Sequence, residues 1–215
     1  MSSQRLVIAI DGPAGSGKTT VARTLATILG VPYVDTGAMY RAFTLKLLRT
    51  GSIEEVDSWV PLLDETKIES IGGLTMLDSD DVTREIRDHS VDSEVSRVAA
   101  NPAVRAWMVS RQRAEVGPQG VVMEGRDIGT VVLPDAFLKV YLTADPSVRA
   151  QRRATQNDSE AVDSTLESIE ERDRRDSIRS ASPLKQAEDA ILVDTTGKDV
   201  DEVVAHIMSL IAASR

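Results

Sequence analysis

The stretch LVIAIDGPAGSGKTTVARTLA, Leu6 to Ala26, decides the fold, because it holds G-x-x-x-x-G-K-[ST] as Gly12, Gly17, Lys18 and Thr19. Leu6 to Ile10 is a short apolar, β-branched run that reads as a buried strand, and Val21 to Leu29 has helical apolar spacing. That strand-loop-helix setting makes the motif a phosphate-binding loop rather than a glycine-rich turn that binds nothing. Gly12, Gly15 and Gly17 let the backbone turn tightly and aim successive N–H groups at phosphate oxygens. The expected nucleotide-binding segment is Gly12, Pro13, Ala14, Gly15, Ser16, Gly17, Lys18, Thr19 and Thr20. Within it Lys18 reaches the β and γ phosphates and the Thr19 hydroxyl sits on Mg²⁺. The loop opens a helix, whose free N–H groups and macrodipole favour anions.

The bulk composition narrows the partners. With 215 residues and 41% hydrophobic content, the chain suits one α/β domain over 1–215 with a small appended piece. Only 3% of residues are aromatic, which argues against stacking platforms for single-stranded nucleic acid, and a net charge of -9 argues against polyanion binding in general. Any positive charge that meets phosphate must therefore be local. The absence of cysteine excludes disulfides and thiolate metal sites. The N-terminal apolar run is too short for a signal peptide, and no stretch approaches the roughly 20 apolar residues of a membrane span. A cytoplasmic location, without membrane contact, is the expectation.

Strands and helices alternate beyond the loop. Val31 to Val34 reads as a second strand ending at Asp35, and Ala38 to Leu48 as a helix closed by Gly51. Such alternation implies a parallel sheet whose ligands lie beyond the carboxyl ends of the strands. A helix is predicted over Ile53–Leu63, followed by a hairpin, Lys67–Ile71 and Leu74–Leu77 around Gly72-Gly73, with a third strand after Asp81. This antiparallel insertion is either decoration or a flap over an acceptor site. Ser90–Ala100 and Ala103–Glu115 read as helices split by Asn101-Pro102, then Val121–Met123, Leu138–Leu142 and Ala190–Val193 as strands, and Val200–Ile211 as a closing helix. Asp145-Pro146 caps a polar segment that reads as two helices joined by a loop around Asn157–Asp163.

Arginine is concentrated in that polar segment. Arg149, Arg152 and Arg153 share one helix face, as do Arg172, Arg175, Asp176 and Arg179. Glu170–Arg174 and Glu171–Arg175 have the order of ordinary surface ion pairs, and Arg174 is assigned to one of these. The first triplet, Arg172 and Arg179 are assigned instead to a transferring phosphoryl group, for which fork-shaped donors are suited. Arg41 and Arg126 fall at the ligand edge of the sheet, while Glu124 and Asp127 could as well cap or pair with an arginine. No role is assigned to His89 or His206, and Trp59 and Trp107 are taken as packing residues.

Among P-loop proteins, a regulatory GTPase needs N-K-x-D, and neither Asn101 nor Asn157 is followed by lysine. Asp194 to Gly197 matches D-x-x-G but lies too late to be a switch. Asp35, Glu124 and Asp194 are nominal candidates for the acid that motor and transporter ATPases place at a metal. An arginine-rich, lid-like segment on a small chain favours a kinase, which must keep water from the γ-phosphoryl group until the acceptor arrives.

The stretches IDGPAGSGKTT, DTGAMYRA, VAANPAVR, EGRDIGTVVLPDA and ERDRRDSIR together resemble those of the bacterial cytidylate kinase family, in its order, from Ile10 to Arg179. The resemblance implies an α/β nucleoside monophosphate kinase fold: a five-stranded parallel sheet flanked by helices, a small antiparallel acceptor-binding insertion at about 64–88, and a helical lid within about 146–180. It also implies transfer of the ATP γ-phosphoryl group, with Mg²⁺, to CMP or dCMP by a monomer. Carried onto matching positions, Arg41 and Arg126 hold the acceptor phosphate, and Thr36, Ser96, Arg105, Asp127 and Arg179 surround the cytosine. Asp176 and Arg172 meet the ribose, Arg153 comes from the lid onto the transferred phosphate, and Lys18, Arg126 and Arg153 form the catalytic set. Thr36 stands where several relatives have Ser and Glu124 where many have Asp, with the functional group kept.

Overall fold

A computed structural model describes residues 5–156, 162–179 and 181–214. Strand β1 (Leu6–Asp11) feeds the loop into α1 (Lys18–Leu29). The helix starts earlier than its apolar spacing predicts because Lys18, Thr19 and Thr20 form its polar first turn. After β2 (Tyr33–Asp35), α2 (Thr36–Arg49) likewise begins before Ala38, since the Asp35 carboxylate accepts from the Ala38 N–H at 2.9 Å and caps it.

The helix predicted over Ile53–Leu63 is shorter: a 3₁₀ turn at Val56–Ser58 leads into α3 (Trp59–Asp64). Pro61 explains the difference. It lacks an N–H and its ring would clash with the carbonyl four residues back, so it is tolerated only in a first turn. The predicted hairpin is present as β3 (Ile68–Ile71) and β4 (Leu74–Leu77), with Gly72 and Gly73 at φ of 65° and 90° in the turn. Its third strand, β5 (Asp80–Asp81), comes slightly earlier than expected. Helices α4 (His89–Ala100) and α5 (Pro102–Ala114) are split as predicted, with the Asn101 side chain accepting from Ala103 and Val104 N–H groups.

Strand β6 (Gly120–Gly125) is followed by a π-helical turn, Ile128–Val132, that no periodicity announces. It is tied from a distance: the Asp11 carboxylate accepts from the Ile128 and Gly129 N–H groups at 2.8 and 2.7 Å. Then come β7 (Leu138–Thr143), α6 (Pro146–Gln156), α7 (Val162–Ile178), β8 (Ile191–Asp194) and α8 (Val200–Ala213). Of the interruption predicted at Asn157–Asp163, residues 157–161 lie outside the described residues, and Val162 and Asp163 already belong to α7.

The five long-range strands form a parallel sheet in the order β2-β6-β1-β7-β8, and β3, β4 and β5 form a separate antiparallel sheet. Both faces of the main sheet are covered, which is why its strands read as continuous apolar runs. Along β1 and β6 the side chains alternate: Ile8, Ile10 and Val122 pack with α1 and α8, whereas Ala9, Val121 and Met123 pack with α2, α4 and α5. The hairpin closes the second core with Ile68 and Leu77. Register brings Asp35, Glu124 and Ile10 side by side at the carboxyl edge. No helix among the described residues is long and apolar enough to cross a membrane.

Candidate active site

A cleft of about 1100 Å³ opens at that carboxyl edge, lined by Gly15 to Thr20 and by Arg41, Arg126, Arg153 and Arg172. The loop is held close to its neighbours. A side chain at Gly12, with φ of 148°, would place Cβ 2.1 Å from the Leu142 carbonyl oxygen, and one at Gly15, with φ of 74°, 2.6 Å from that of Arg149. Its crest is gripped by the helices that follow β7: Ala14 donates its N–H to Asp173 at 3.0 Å, and Arg149 donates to the Ala14 carbonyl at 3.0 Å while pairing with Asp173.

Two arginines assigned to the phosphoryl group therefore have structural partners. Arg149 clamps the loop, and Arg152 donates to the Thr195 hydroxyl and carbonyl at 2.8 and 2.9 Å, although it still borders the cleft. The reason is tertiary: spacing shows that arginines share a face but not which carboxylates the face meets. Arg174 is an exposed surface pair as expected, but with Glu171 rather than Glu170, since Glu171 serves both Arg174 and Arg175.

Lys18 is buried, and its ammonium donates to the Pro13 carbonyl at 2.7 Å. Burial, aided by Arg126, lowers its pKa to about 7 against the attraction of Glu124, Asp173 and Asp11. Glu124 accepts from the Tyr33 hydroxyl at 2.5 Å, and burial with the nearby Asp35 raises it to about 7. Asp11 is raised to about 6 by burial, opposed by its two backbone donors. Thr19 is exposed to the cleft with Glu124 close by. Among the described residues no three His, Asp or Glu side chains form a metal cage. A hydroxyl and one carboxylate suit Mg²⁺ whose other oxygens come from phosphates and water.

Elsewhere along the cleft, Arg41 donates to the Ile86 carbonyl at 3.0 Å and pairs with Asp92. Behind it runs a buried polar chain. Arg105 pairs with Asp127, Arg179 lies 3.8 Å from Asp127 and 3.7 Å from Asp176, and Asp176 accepts from Arg126 at 3.0 Å. Thr36 donates its hydroxyl to the Glu124 carbonyl at 2.7 Å, so toward a ligand it can only accept. Ser96 is one turn past Asp92 on the same face of α4, outside the contacts that join Arg105, Asp127 and Arg179.

Sequence reasoning missed Asp11, Asp92, Asp173 and Thr195. Thr195 lies in the D-x-x-G match set aside as coincidence; its hydroxyl, at 3.2 Å from the Ser16 carbonyl, ties β8 to the loop. His89 borders the cleft, whereas His206 is exposed on α8.

Solved structures share this architecture. An uncharacterized protein from Eubacterium ventriosum ATCC 27560 superposes with a TM-score of 0.56 at 16% identity, over 97% of this chain and 99% of that one. A gluconokinase from Sinorhizobium meliloti 1021 gives 0.50 at 17% identity over 98% and 94%, and shikimate kinase from Acinetobacter baumannii in complex with shikimate gives 0.50 at 17% over 99% and 96%. At these identities the likeness is one of fold. The sequence itself goes further: a family model described as cytidylate kinase matches residues 8–213, nearly the whole chain, so the protein belongs to the cytidylate kinase family and is a nucleotide kinase.

Proposed function

We propose that the enzyme transfers the γ-phosphoryl group of ATP to the phosphate of CMP or dCMP, giving ADP and the diphosphate. The observation that carries the cytosine assignment is a buried pair within the polar chain. Asp127 Oδ1, an acceptor, lies 3.8 Å from Arg179 Nη2, a buried donor with no hydrogen-bond partner. Cytosine offers the complement on one edge: an amino donor at N4 and acceptors at N3 and O2. Uracil would turn a carbonyl toward the Asp127 carboxylate, and such a mismatch of buried polar groups costs ~1 to 3 kcal/mol or more.

The remaining roles are those that the family resemblance carries onto these positions. Arg105 fixes Asp127, and Thr36 and Ser96 line the base. Asp176 and Arg172 meet the ribose. Arg41 and Arg126 hold the acceptor phosphate, so that one of its oxygens attacks the γ-phosphorus as the bond to the β–γ bridging oxygen breaks. Charge then develops on the bridging oxygen, where Lys18 and the loop N–H groups from Gly15 to Thr20 receive it. Arg153 neutralises the equatorial oxygens from the lid. Thr19, with Glu124, would hold Mg²⁺, which supplies further charge neutralisation on the β and γ oxygens when bound. Catalysis of this kind rests on positioning and electrostatics, since the protein adds little covalent help. The chain works as one unit over 1–215, with 64–88 on the acceptor side and 146–180 closing over the donor.

The test is ADP release with ATP and Mg²⁺ in the presence of CMP, dCMP, UMP, AMP or no acceptor. The reading requires CMP and dCMP to be preferred by at least roughly tenfold over UMP, the lower range of what one buried polar mismatch contributes. A preference for UMP or AMP overturns the cytosine assignment, and equal release with and without every monophosphate overturns transfer to any of them.

A further inference from the structure

Asp92 stands in the first turn of α4, on the wall of the cleft, and gathers arginines from three other helices. Its Oδ1 pairs with Arg41 of α2 and lies 3.1 Å from Arg172 of α7, and its Oδ2 lies 2.7 Å from Arg153 of α6. Arg153 and Arg172 have no other ion pair among the described residues, and the Arg172 Nε is buried without a partner. One carboxylate thus meets Arg41 and Arg153, which the proposed reaction needs for phosphate, and Arg172, which it places at the ribose.

We propose that Asp92 is an internal competitor of the substrate phosphates: its carboxylate occupies the shared arginine cluster in the free enzyme and is displaced when a phosphate monoester binds. This inference rests on the acceptor-site reading above. A phosphate monoester dianion carries twice the charge of the carboxylate and three terminal oxygens instead of two, so it can meet the three forks more completely. A monoanion with two oxygens gains nothing over Asp92. The competitor therefore subtracts the same term from every anion that displaces it, which leaves phosphate esters with net affinity and carboxylates with little. Burial works against ionisation of Asp92, yet Arg41, Arg172 and Arg153 hold its carboxyl down at about 2, so the competitor stays charged at any working pH. The same contacts fasten α6 and α7 to α4 before substrate arrives.

The test compares wild type with Asp92→Asn, which keeps the shape and removes the charge, and with Asp92→Ser as a second variant should the amide make new bonds to the arginines. The donor loop is filled with ADP and Mg²⁺, and the affinities for inorganic phosphate, CMP and acetate are measured by calorimetry. Removing the competing charge should tighten phosphate and CMP roughly tenfold, the scale of 1.4 kcal/mol. Acetate should gain by about the same factor as phosphate, and the affinity for ADP should not move. Unchanged or weaker phosphate binding in both folded variants overturns the proposal and makes Asp92 a residue that merely orders the arginines. If the wild type prefers UMP or AMP to CMP and dCMP, the cytosine assignment fails, while the inorganic phosphate comparison still decides the role of Asp92.

Discussion

Replacing Asp127 with asparagine removes one charge from a pair in which Arg105 is 4% and Asp127 7% exposed, with Arg179 equally buried alongside. Stripping a partner from a buried pair costs about 3 to 5 kcal/mol when nothing replaces it, because the remaining charge is left unsolvated. Asparagine keeps one acceptor oxygen for Arg105, so the expected loss is about 2 to 3 kcal/mol, or the value of one or two charge-assisted hydrogen bonds. For a chain of this length that corresponds to a fall in Tm of about 4 to 12 °C. The effect on substrate is distinct. Cytosine N4 loses a charged acceptor, which should lower kcat/KM for CMP by roughly 10- to 150-fold, while the new amide N–H can meet the O4 carbonyl of uracil. The CMP/UMP ratio should therefore fall by roughly two orders of magnitude, with the ATP affinity unchanged. Steady-state kinetics with both monophosphates, alongside a thermal melt, reads the two effects separately. A folded variant that keeps the wild-type CMP/UMP ratio would refute the assignment of Asp127 to the base.

Other substitutions probe the donor side and the far end of the base pocket. Arg179→Ala should raise the KM for CMP about tenfold or more with ATP affinity intact, since Arg179 reaches Asp127 and Asp176 but not the loop; unchanged CMP kinetics would remove it from the pocket. Lys18, held at about 7 by burial, is mostly neutral at pH 8 in the free enzyme, and triphosphate oxygens should restore its proton. Calorimetry of ATP binding without Mg²⁺ at pH 8, in buffers of differing ionisation enthalpy, should then show uptake of about one proton, with affinity falling as pH rises above 7; no uptake would contradict the depressed value. Asp173→Asn should weaken ATP binding roughly tenfold by loosening the Ala14 N–H and leaving the Arg149 guanidinium short of its partner, as a direct titration would show.

What could be read from the sequence was whatever is encoded locally. The loop motif, the alternation of elements, the Gly72-Gly73 hairpin and the Asn101-Pro102 break are each set by residues within a turn of one another, and each is present in the fold. Element ends shifted where a polar first turn carries no apolar signal, as at Lys18 and Thr36. The site divided in the same way. Arg41, Arg126, Arg153 and Arg172 line the cleft as expected from their motifs and helix faces. Their carboxylate partners could not be found from spacing: Asp92 lies 51 residues from Arg41 and 61 from Arg153, and Asp11 is 117 residues from the N–H of Ile128 that it fixes. An aspartate in the first turn of a helix reads as a dipole partner, and nothing local distinguishes one that faces three arginines.

Those partners resolve how an acidic chain presents a phosphate site. Bare guanidinium groups would repel one another at this density; Arg172 is already pushed down to about 10 by burial and by Arg41 and Arg126. Aspartates answer each group: Asp92 for Arg41, Arg153 and Arg172, Asp173 for Arg149, Asp176 for Arg126, and Asp127 for Arg105. Binding is then an exchange of anionic partners, and its free energy is a difference between them. The sign of a substitution depends on which side of that exchange the carboxylate serves. If the general field of the protein governed affinity, Asp92→Asn and Asp173→Asn would act alike, since each removes one negative charge beside the cleft and each would tighten anion binding. Partner exchange requires opposite signs: tighter phosphate binding without the Asp92 carboxylate, and weaker ATP binding without that of Asp173, whose role is to hold the loop rather than to occupy a substrate's place.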